Sequence, residues 1–197
     1  MRRAPRQRPK LVVFAKAPRM GRAKTRLARD VGLVHAQRLY RAMTAKVLRA
    51  VQDPRWDTVL AATPEGAWDA AWYGAELTGQ GGGGLGARLA RAMAVPGPVC
   101  VIGTDCPEVE AKDIAAAFQA LRGAELVLGP AGDGGFWLIA ARGPVGAELF
   151  KDVRWSSETA LADVAANVEG QVAYLRELVD VDDAAALREV RARGVRV

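Results

Sequence analysis

Five cations, Lys16, Arg19, Arg22, Lys24 and Arg26, stand within one short segment that holds no acid. The segment, Lys16-Ala17-Pro18-Arg19-Met20-Gly21-Arg22-Ala23-Lys24-Thr25-Arg26, follows an apolar run and opens a helical pattern. Free backbone N–H groups at a helix start favour an anion, and several cations beside them favour a polyphosphate. A solvated basic loop is the plain alternative. The spacing is not that of a Walker A loop, because Gly21 stands only three residues before Lys24. Gly103-Thr104-Asp105-Cys106-Pro107 is opposite in character. A lone carboxylate after a buried strand, held between Gly and Pro, suits a hard cation. Mg²⁺ typically takes one or two protein carboxylates and finds its other ligands on substrate phosphates. The alternative for Asp105 is a cap on the following helix. Asp180-Val181-Asp182-Asp183 offers a second carboxylate before the last helical segment, where acids also serve as caps. Asp133 lies in a Gly132-Asp133-Gly134-Gly135 bend, which favours Asp by turn geometry alone. It is the best candidate for a general base.

Other motifs carry less. Gly81, Gly83 and Gly86 match G-x-G-x-x-G, but a dinucleotide fingerprint normally follows the first strand of its fold. Close approach of backbone to a flat ligand, or a plain loop, fits them better. His35 is the only histidine, and it opens a helix as a surface residue, which speaks against His-based catalysis. Cys106 has no histidine near it in sequence to raise a thiolate.

The elements that must position these residues follow from apolar runs and their punctuation. Strands are expected over 10–15, 58–62, 98–103, 125–129, 136–140 and 171–175. Helices are expected over 23–29, 34–51, 67–72, 85–93, 112–122, 158–168 and 184–193. Apolar strands alternating with helices predict a single-domain α/β fold, a mostly parallel sheet with helices on both faces. Ligands in such sheets sit beyond the carboxyl ends of the strands. That places 16–26, 63 onward, 103–107 and the segments around Asp133 and Asp180 at one edge.

Composition agrees with one globular domain. The 197 residues are 50% hydrophobic and 25% charged, which excludes a disordered chain. The net charge of +6 is uneven. Residues 1–29 hold eleven of the 28 Lys and Arg and no acid, leaving 17 cations against 22 acids in the rest. Residues 1–9 therefore read as a basic, disordered tail, and 10–197 as the domain. Cations confined to a tail do not suggest a nucleic-acid partner. Two cysteines make neither a disulfide framework nor a zinc site, and no run is long enough to span a bilayer. A cytoplasmic protein with no membrane span is expected.

The ordered blocks VVFAKAPRMGRAKTRLA, GLGARLARA, VIGTDCPEV, GPAGDGGFWLIA, WSSETAL and DVDDAAAL resemble the small bacterial glycosyltransferases of GT-A (nucleotide-diphospho-sugar transferase) fold. These are similar to 2-phospho-L-lactate guanylyltransferase. The resemblance spans residues 10–187, nearly the whole chain. It implies that Ala15, Lys16, Gly21, Lys24, Thr25 and Arg26 embrace nucleotide phosphates, with Gly84, Gly86 and Arg88 beside the base or ribose. Asp105 would match the metal carboxylate, with Asp182 the second acid, for Mg²⁺ or Mn²⁺. The expected activity is metal-dependent transfer from a nucleotide-diphospho-sugar to a small-molecule acceptor, with Asp105, Lys24 and Asp133 as the catalytic set. The alternative is a nucleotidyltransferase coupling a nucleoside triphosphate to a small phosphorylated acceptor. Rivals from other classes are a non-catalytic nucleotide- or RNA-binding module and a dinucleotide-dependent oxidoreductase.

Overall fold

A computed structural model of the chain describes residues 7–18, 23–64 and 75–197. Its centre is a seven-stranded sheet in the order β3-β2-β1-β4-β6-β5-β7. The strands are β1 (Lys10–Lys16), β2 (Asp57–Thr63), β3 (Glu76–Gly79), β4 (Val99–Ile102), β5 (Leu126–Pro130), β6 (Phe136–Ala141) and β7 (Val172–Tyr174). β1 pairs in parallel with β2 and β4, β2 with β3, and β5 with β7. Only β6 runs against its neighbours, β4 and β5. The cause is local. A bend over 131–135, closed by the Ala131 N–H on the Gly135 carbonyl, returns the chain at once, and so short a connection can join only antiparallel strands.

Helices cover both faces, as expected. Alternate residues of β1 divide between them: Leu11, Val13 and Ala15 join one core, Val12 the other. The first face is covered by α2 (Leu33–Ala50) and α4 (Ala111–Ala120), through Val47, Leu48, Ile114 and Ala117. The second is covered by α3 (Leu85–Met93), α5 (Ala160–Ala166) and a 3₁₀ turn at Ala147–Phe150, through Leu89, Met93, Val164 and Phe150. A third cluster joins α1 (Thr25–Val31) and α6 (Ala184–Ala192) to the outer side of α2, around Leu27, Met43, Leu187 and Val190. Each buried Leu or Val contributes about 1.5–3 kcal/mol of transfer free energy.

The caps settle two sequence alternatives. α6 is capped by Asp183, whose carboxylate accepts the Ala186 N–H at 2.9 Å. α4 is capped by Glu110 with Asp113 in a capping box, not by Asp105. Asp105, Asp180 and Asp182 are thus free of capping duty at these two helix starts. The expected helix over 67–72 lies outside the described residues, as do 1–6 of the basic tail. Of the remaining tail, Arg8 pairs with Asp57 at 2.8 Å and the Pro9 carbonyl accepts the Asp57 N–H. No helix among the described residues is long and apolar enough to cross a membrane.

Candidate active site

The strand order reverses at β1 and β4: β2 lies to one side of β1 and β4 to the other, so the loops leaving their carboxyl ends diverge. Open parallel sheets bind ligands in that crevice. Lys24 enters it from the β1–α1 loop. The residue sits in the left-handed region, φ 52° and ψ 49°, at the start of α1. A non-glycine residue there carries a backbone cost of order 1 kcal/mol, and the surroundings offset it. The Lys24 ammonium stands 2.7 Å from Asp105 Oδ1, 2.7 Å from Asp182 Oδ1 and 3.2 Å from Asp180 Oδ1. Asp105 follows β4, while Asp180 and Asp182 precede α6. The Val181 N–H on the Asp105 carbonyl, at 3.0 Å, ties the two acidic segments together.

The Lys24 side chain is 4% exposed, while the three carboxylates keep between 28% and 44% of their surface. Burial alone would push the ammonium toward neutrality. The charges of Asp105, Asp180 and Asp182 outweigh it, and the group is held well above the ordinary lysine value. Asp180 goes the other way. Burial, then repulsion from Asp105 and Asp182, lifts its carboxyl to about 6 against the pull of Lys24. The Asp182 carboxyl is partly desolvated, yet Lys24 draws it below the ordinary value.

Three carboxylates facing one cationic point are donors of the kind that hard divalent ions take. Asp105 Oδ1 is buried and, the ammonium apart, accepts no hydrogen bond from the described residues. The spacing is that of ammonium contacts: among the described residues no three His, Cys, Asp or Glu stand at metal-ligand separation. In kind the residues fit a divalent cation, and Lys24 is the cation they hold.

Two cavities flank this cluster. The first, about 400 Å³, is lined by Ala15, Lys16, Lys24, Arg88, Asp105 and Asp182 together with Tyr40 and Gln80. The second, about 240 Å³, shares Asp105 and is walled by Asp133, Asp180, Phe136, Trp137 and Trp155. Tyr40 and Gln80 escaped the sequence reading. The Tyr40 hydroxyl donates to the Lys16 carbonyl at 2.9 Å and accepts the Lys16 N–H at 2.8 Å, so it holds the end of β1 from both sides. Buried Gln80 donates to the carbonyls of Ala15 and Ala61, at 3.1 and 2.8 Å, bridging β1 and β2. Isolated polar residues carry little signal; a Tyr between the apolar Leu39 and Met43 of a helix was the one available sign.

Of the residues singled out, Ala15, Lys16, Lys24, Arg88, Asp105 and Asp182 meet at the first cavity. Asp133 lines the second, its Oδ1 accepting the Gly135 N–H at 2.9 Å. Arg26 is exposed and stands 3.9 Å from Asp182. Thr25 is exposed on α1, and Gly21 lies outside the described residues. Gly84 begins α3. Gly86 is buried, where a Cβ would meet Phe150 at 3.0 Å and Trp155 at 3.2 Å, which makes it a packing position. The glycine loop is filled by the protein itself: Arg91 donates to the Gln80 and Gly82 carbonyls at 2.7 and 3.2 Å. That leaves little room for a pyrophosphate and removes support for a dinucleotide reading. Cys106 is buried, and burial first, then the charges of Asp180 and Asp105, holds its thiol protonated. It is no ready nucleophile.

The match to known families falls on this framework. A family model described as an uncharacterized protein conserved in bacteria (DUF2064) matches residues 44–157. The chain belongs to that family. No curated protein matches it. A solved structure from Desulfovibrio desulfuricans G20, of a protein provisionally named a nucleotide-diphospho-sugar transferase, is 25% identical. It covers 96% of this chain and 99% of that chain, with a TM-score of 0.82. CMP:2-keto-3-deoxy-manno-octonic acid synthetase, solved with CTP, is similar at 14% identity and TM-score 0.57, covering 95% of this chain and 98% of that chain. Rv0371c of Mycobacterium tuberculosis H37Rv, solved with manganese, is 15% identical with TM-score 0.51, covering 93% and 98%. The chain thus has the fold of the nucleotide-diphospho-sugar transferases, a single α/β domain.

Proposed function

We propose that this protein is a metal-dependent transferase that uses a nucleotide-activated donor, most simply a nucleotide-diphospho-sugar. The observation that carries the reading is the buried Lys24 ammonium among Asp105, Asp180 and Asp182, beside an open cavity at the strand switch. The ligands of two structural relatives support it: one was solved with CTP and another with manganese. Buried free thiols at Cys100 and Cys106 suit a cytoplasmic setting.

The donor's diphosphate lies in the first cavity, against Lys16, Lys24 and Arg88. Asp105 and Asp182 would hold Mg²⁺ or Mn²⁺, with Asp180 beside them. Such an ion would supply positive charge to the donor's phosphates and stabilise charge on the leaving group. Lys24 adds a further positive charge beside the leaving group. Tyr40 keeps Lys16 in place and Gln80 keeps the ends of β1 and β2 together. The acceptor oxygen forms its bond to the sugar's anomeric carbon, and the bond from that carbon to the diphosphate oxygen breaks. The nucleoside diphosphate leaves with the electron pair. The acceptor's proton passes to Asp133, on the second cavity. Residues 10–197 act as the catalytic domain, with Arg8 and Pro9 of the basic tail tied to Asp57 at the start of β2.

Nucleotidyl transfer is the second reading. One observation favours it: Lys16, Lys24 and Arg88 together suit a triphosphate, whose α-phosphorus would be attacked in line with pyrophosphate leaving. A thermal-shift panel of nucleoside diphosphates, triphosphates and nucleotide-sugars, each with and without Mn²⁺, separates the readings. A true ligand at 100 times its dissociation constant stabilises by about 2.7 kcal/mol. Consumption of a nucleotide-sugar supports the first reading, release of pyrophosphate from a triphosphate the second. No Mn²⁺-dependent shift with any compound contradicts both.

A further inference from the structure

The two cavities share Asp105 but differ in charge. Lys16, Lys24 and Arg88 face the first, whereas among the described residues no Lys or Arg lines the second. Its charged groups are Asp105, Asp133 and Asp180. Among the described residues, the Lys and Arg close by are already engaged. Lys24 is matched by three carboxylates. Arg154, next to Trp155 in sequence, is turned onto Asp163 through two hydrogen bonds at 3.0 and 2.7 Å. Arg176 is held by Asp113 in the same way, at 2.8 and 2.8 Å.

Several backbone donors around the cavity are also taken. The Gly135 N–H goes to Asp133, the Gly134 N–H to the Ala131 carbonyl and the Gly103 N–H to the Trp137 carbonyl. The Ala160 N–H goes to the Ser157 carbonyl, and the Ser157 hydroxyl donates to the Arg154 carbonyl at 2.6 Å. A phosphate monoester brings a charge near −2 and needs cations or free N–H groups to replace its water. Among the described residues no Lys or Arg of the lining supplies a cation, and three carboxylates repel the anion. Carboxylate oxygens instead accept hydrogen bonds from hydroxyls and amines. The remaining wall is aromatic: Phe136 and Trp155 meet edge to face with ring centroids 6.2 Å apart, and Trp137 lies beside them.

Resting on the nucleotide reading of the first cavity, we propose that the second is the acceptor subsite and takes an uncharged or amine-bearing polyol, not a phosphorylated or carboxylated molecule. Its hydroxyls donate to Asp133 and Asp180, and its carbon face lies on the rings of Trp155 and Phe136. The donor's anionic and the acceptor's hydroxyl-rich ends thus meet at Asp105, among the described residues the one acid that lines both cavities and pairs with Lys24.

The test is a tryptophan-fluorescence titration of the full-length protein with Mn²⁺, run with the nucleoside diphosphate that gives the largest thermal shift, and also with none. The probes are glucose, ribose, glycerol and glucosamine, against glucose 6-phosphate, ribose 5-phosphate and glycerol 3-phosphate. At least one neutral or amine-bearing probe is expected to bind at least tenfold more tightly than its phosphorylated counterpart. Trp155→Phe should lose most of the fluorescence change while keeping nucleotide binding. Asp133→Lys should bring the phosphorylated probe to parity or better. A wild-type preference for the phosphorylated probes, or no saturable response to any neutral or amino probe, overturns the proposal. Nucleotide binding is read separately in the same samples. Its loss alone would contradict the nucleotide reading, while a polyol preference would then still locate a hydroxyl-binding site.

Discussion

The two sides of the Asp105 cleft are built on different physics. On the β1–α1 side a left-handed lysine brings its ammonium into an acidic cluster, so position is held by charge. On the β6 side the bend over 131–135 and the ring of Trp155 hold position by packing. There Gly134 has φ +81° and a Cβ would collide with the backbone of Glu158, so only glycine allows the bend to close. Charge placed by charge can be redirected when a phosphate or a metal ion arrives. A packed wall cannot, and it can select its ligand by shape and by which hydrogen bonds it leaves open.

The largest effects come from breaking each side at its reacting group. Asp133→Asn keeps a carbonyl oxygen for the Gly135 N–H but loses the base. We expect kcat to fall on the order of 10²–10⁴-fold, with nucleotide affinity unchanged by calorimetry. If kcat holds, Asp133 is a turn residue only. On the other side, Lys24→Met should lower kcat/KM by roughly 10²–10³, the usual consequence of losing one preorganised charge. It also leaves Asp105, Asp180 and Asp182 facing one another, so Mn²⁺ should raise the melting temperature of this variant more than that of the wild type. An equal Mn²⁺ response would mean that the ammonium and the metal ion do not share these acids.

Smaller effects sharpen the contrast. Tyr40→Phe removes the partner of both the Lys16 N–H and its carbonyl, which should cost about 2 kcal/mol in denaturant unfolding. Little change would show that Tyr40 does not position the loop. Outside the lining of the cleft, Asp113 measures what a plain structural carboxylate does. Burial would raise it, but hydrogen bonds from Arg176 and from the Glu110 N–H hold it below the usual value. With the folded value depressed, its contribution is complete above the unfolded carboxyl value near 4 and is lost as pH falls through the folded one. The melting-temperature gap between wild type and Asp113→Asn should therefore be full near neutrality and close below about pH 4. A gap that persists in acid contradicts the assignment.

Much of the fold was legible because its strands are buried on both faces and so appear as short apolar runs between Gly and Pro. β3 was not: Glu-Leu-Thr-Gly is an exposed edge strand with no apolar periodicity. The 3₁₀ turn at Ala147–Phe150 is too short to show a period. Within the site, Lys24, Asp105 and Asp182 could be named from their places after a strand or before a helix. Asp180 was harder to assign, because three acids in one segment differ only in where the backbone turns: Asp183 caps α6 while Asp180 and Asp182 face Lys24. The meeting of Lys24 with residues more than 150 positions away is a tertiary fact that no local pattern carries. The same holds for the opposed charge of the two cavities.

The central claim is that Asp105 holds the metal ion through which the two sides act together. The direct measurement is calorimetric nucleotide binding to wild type and Asp105→Asn, with Mn²⁺ and with chelator. The wild type should bind more tightly with Mn²⁺. Asp105→Asn should bind at one affinity in both conditions, near that of the chelated wild type, because Lys16, Lys24 and Arg88 still hold the phosphates. An Asp105→Asn protein that keeps the full Mn²⁺ enhancement, or a wild type that binds and turns over equally well in excess chelator, would contradict the account.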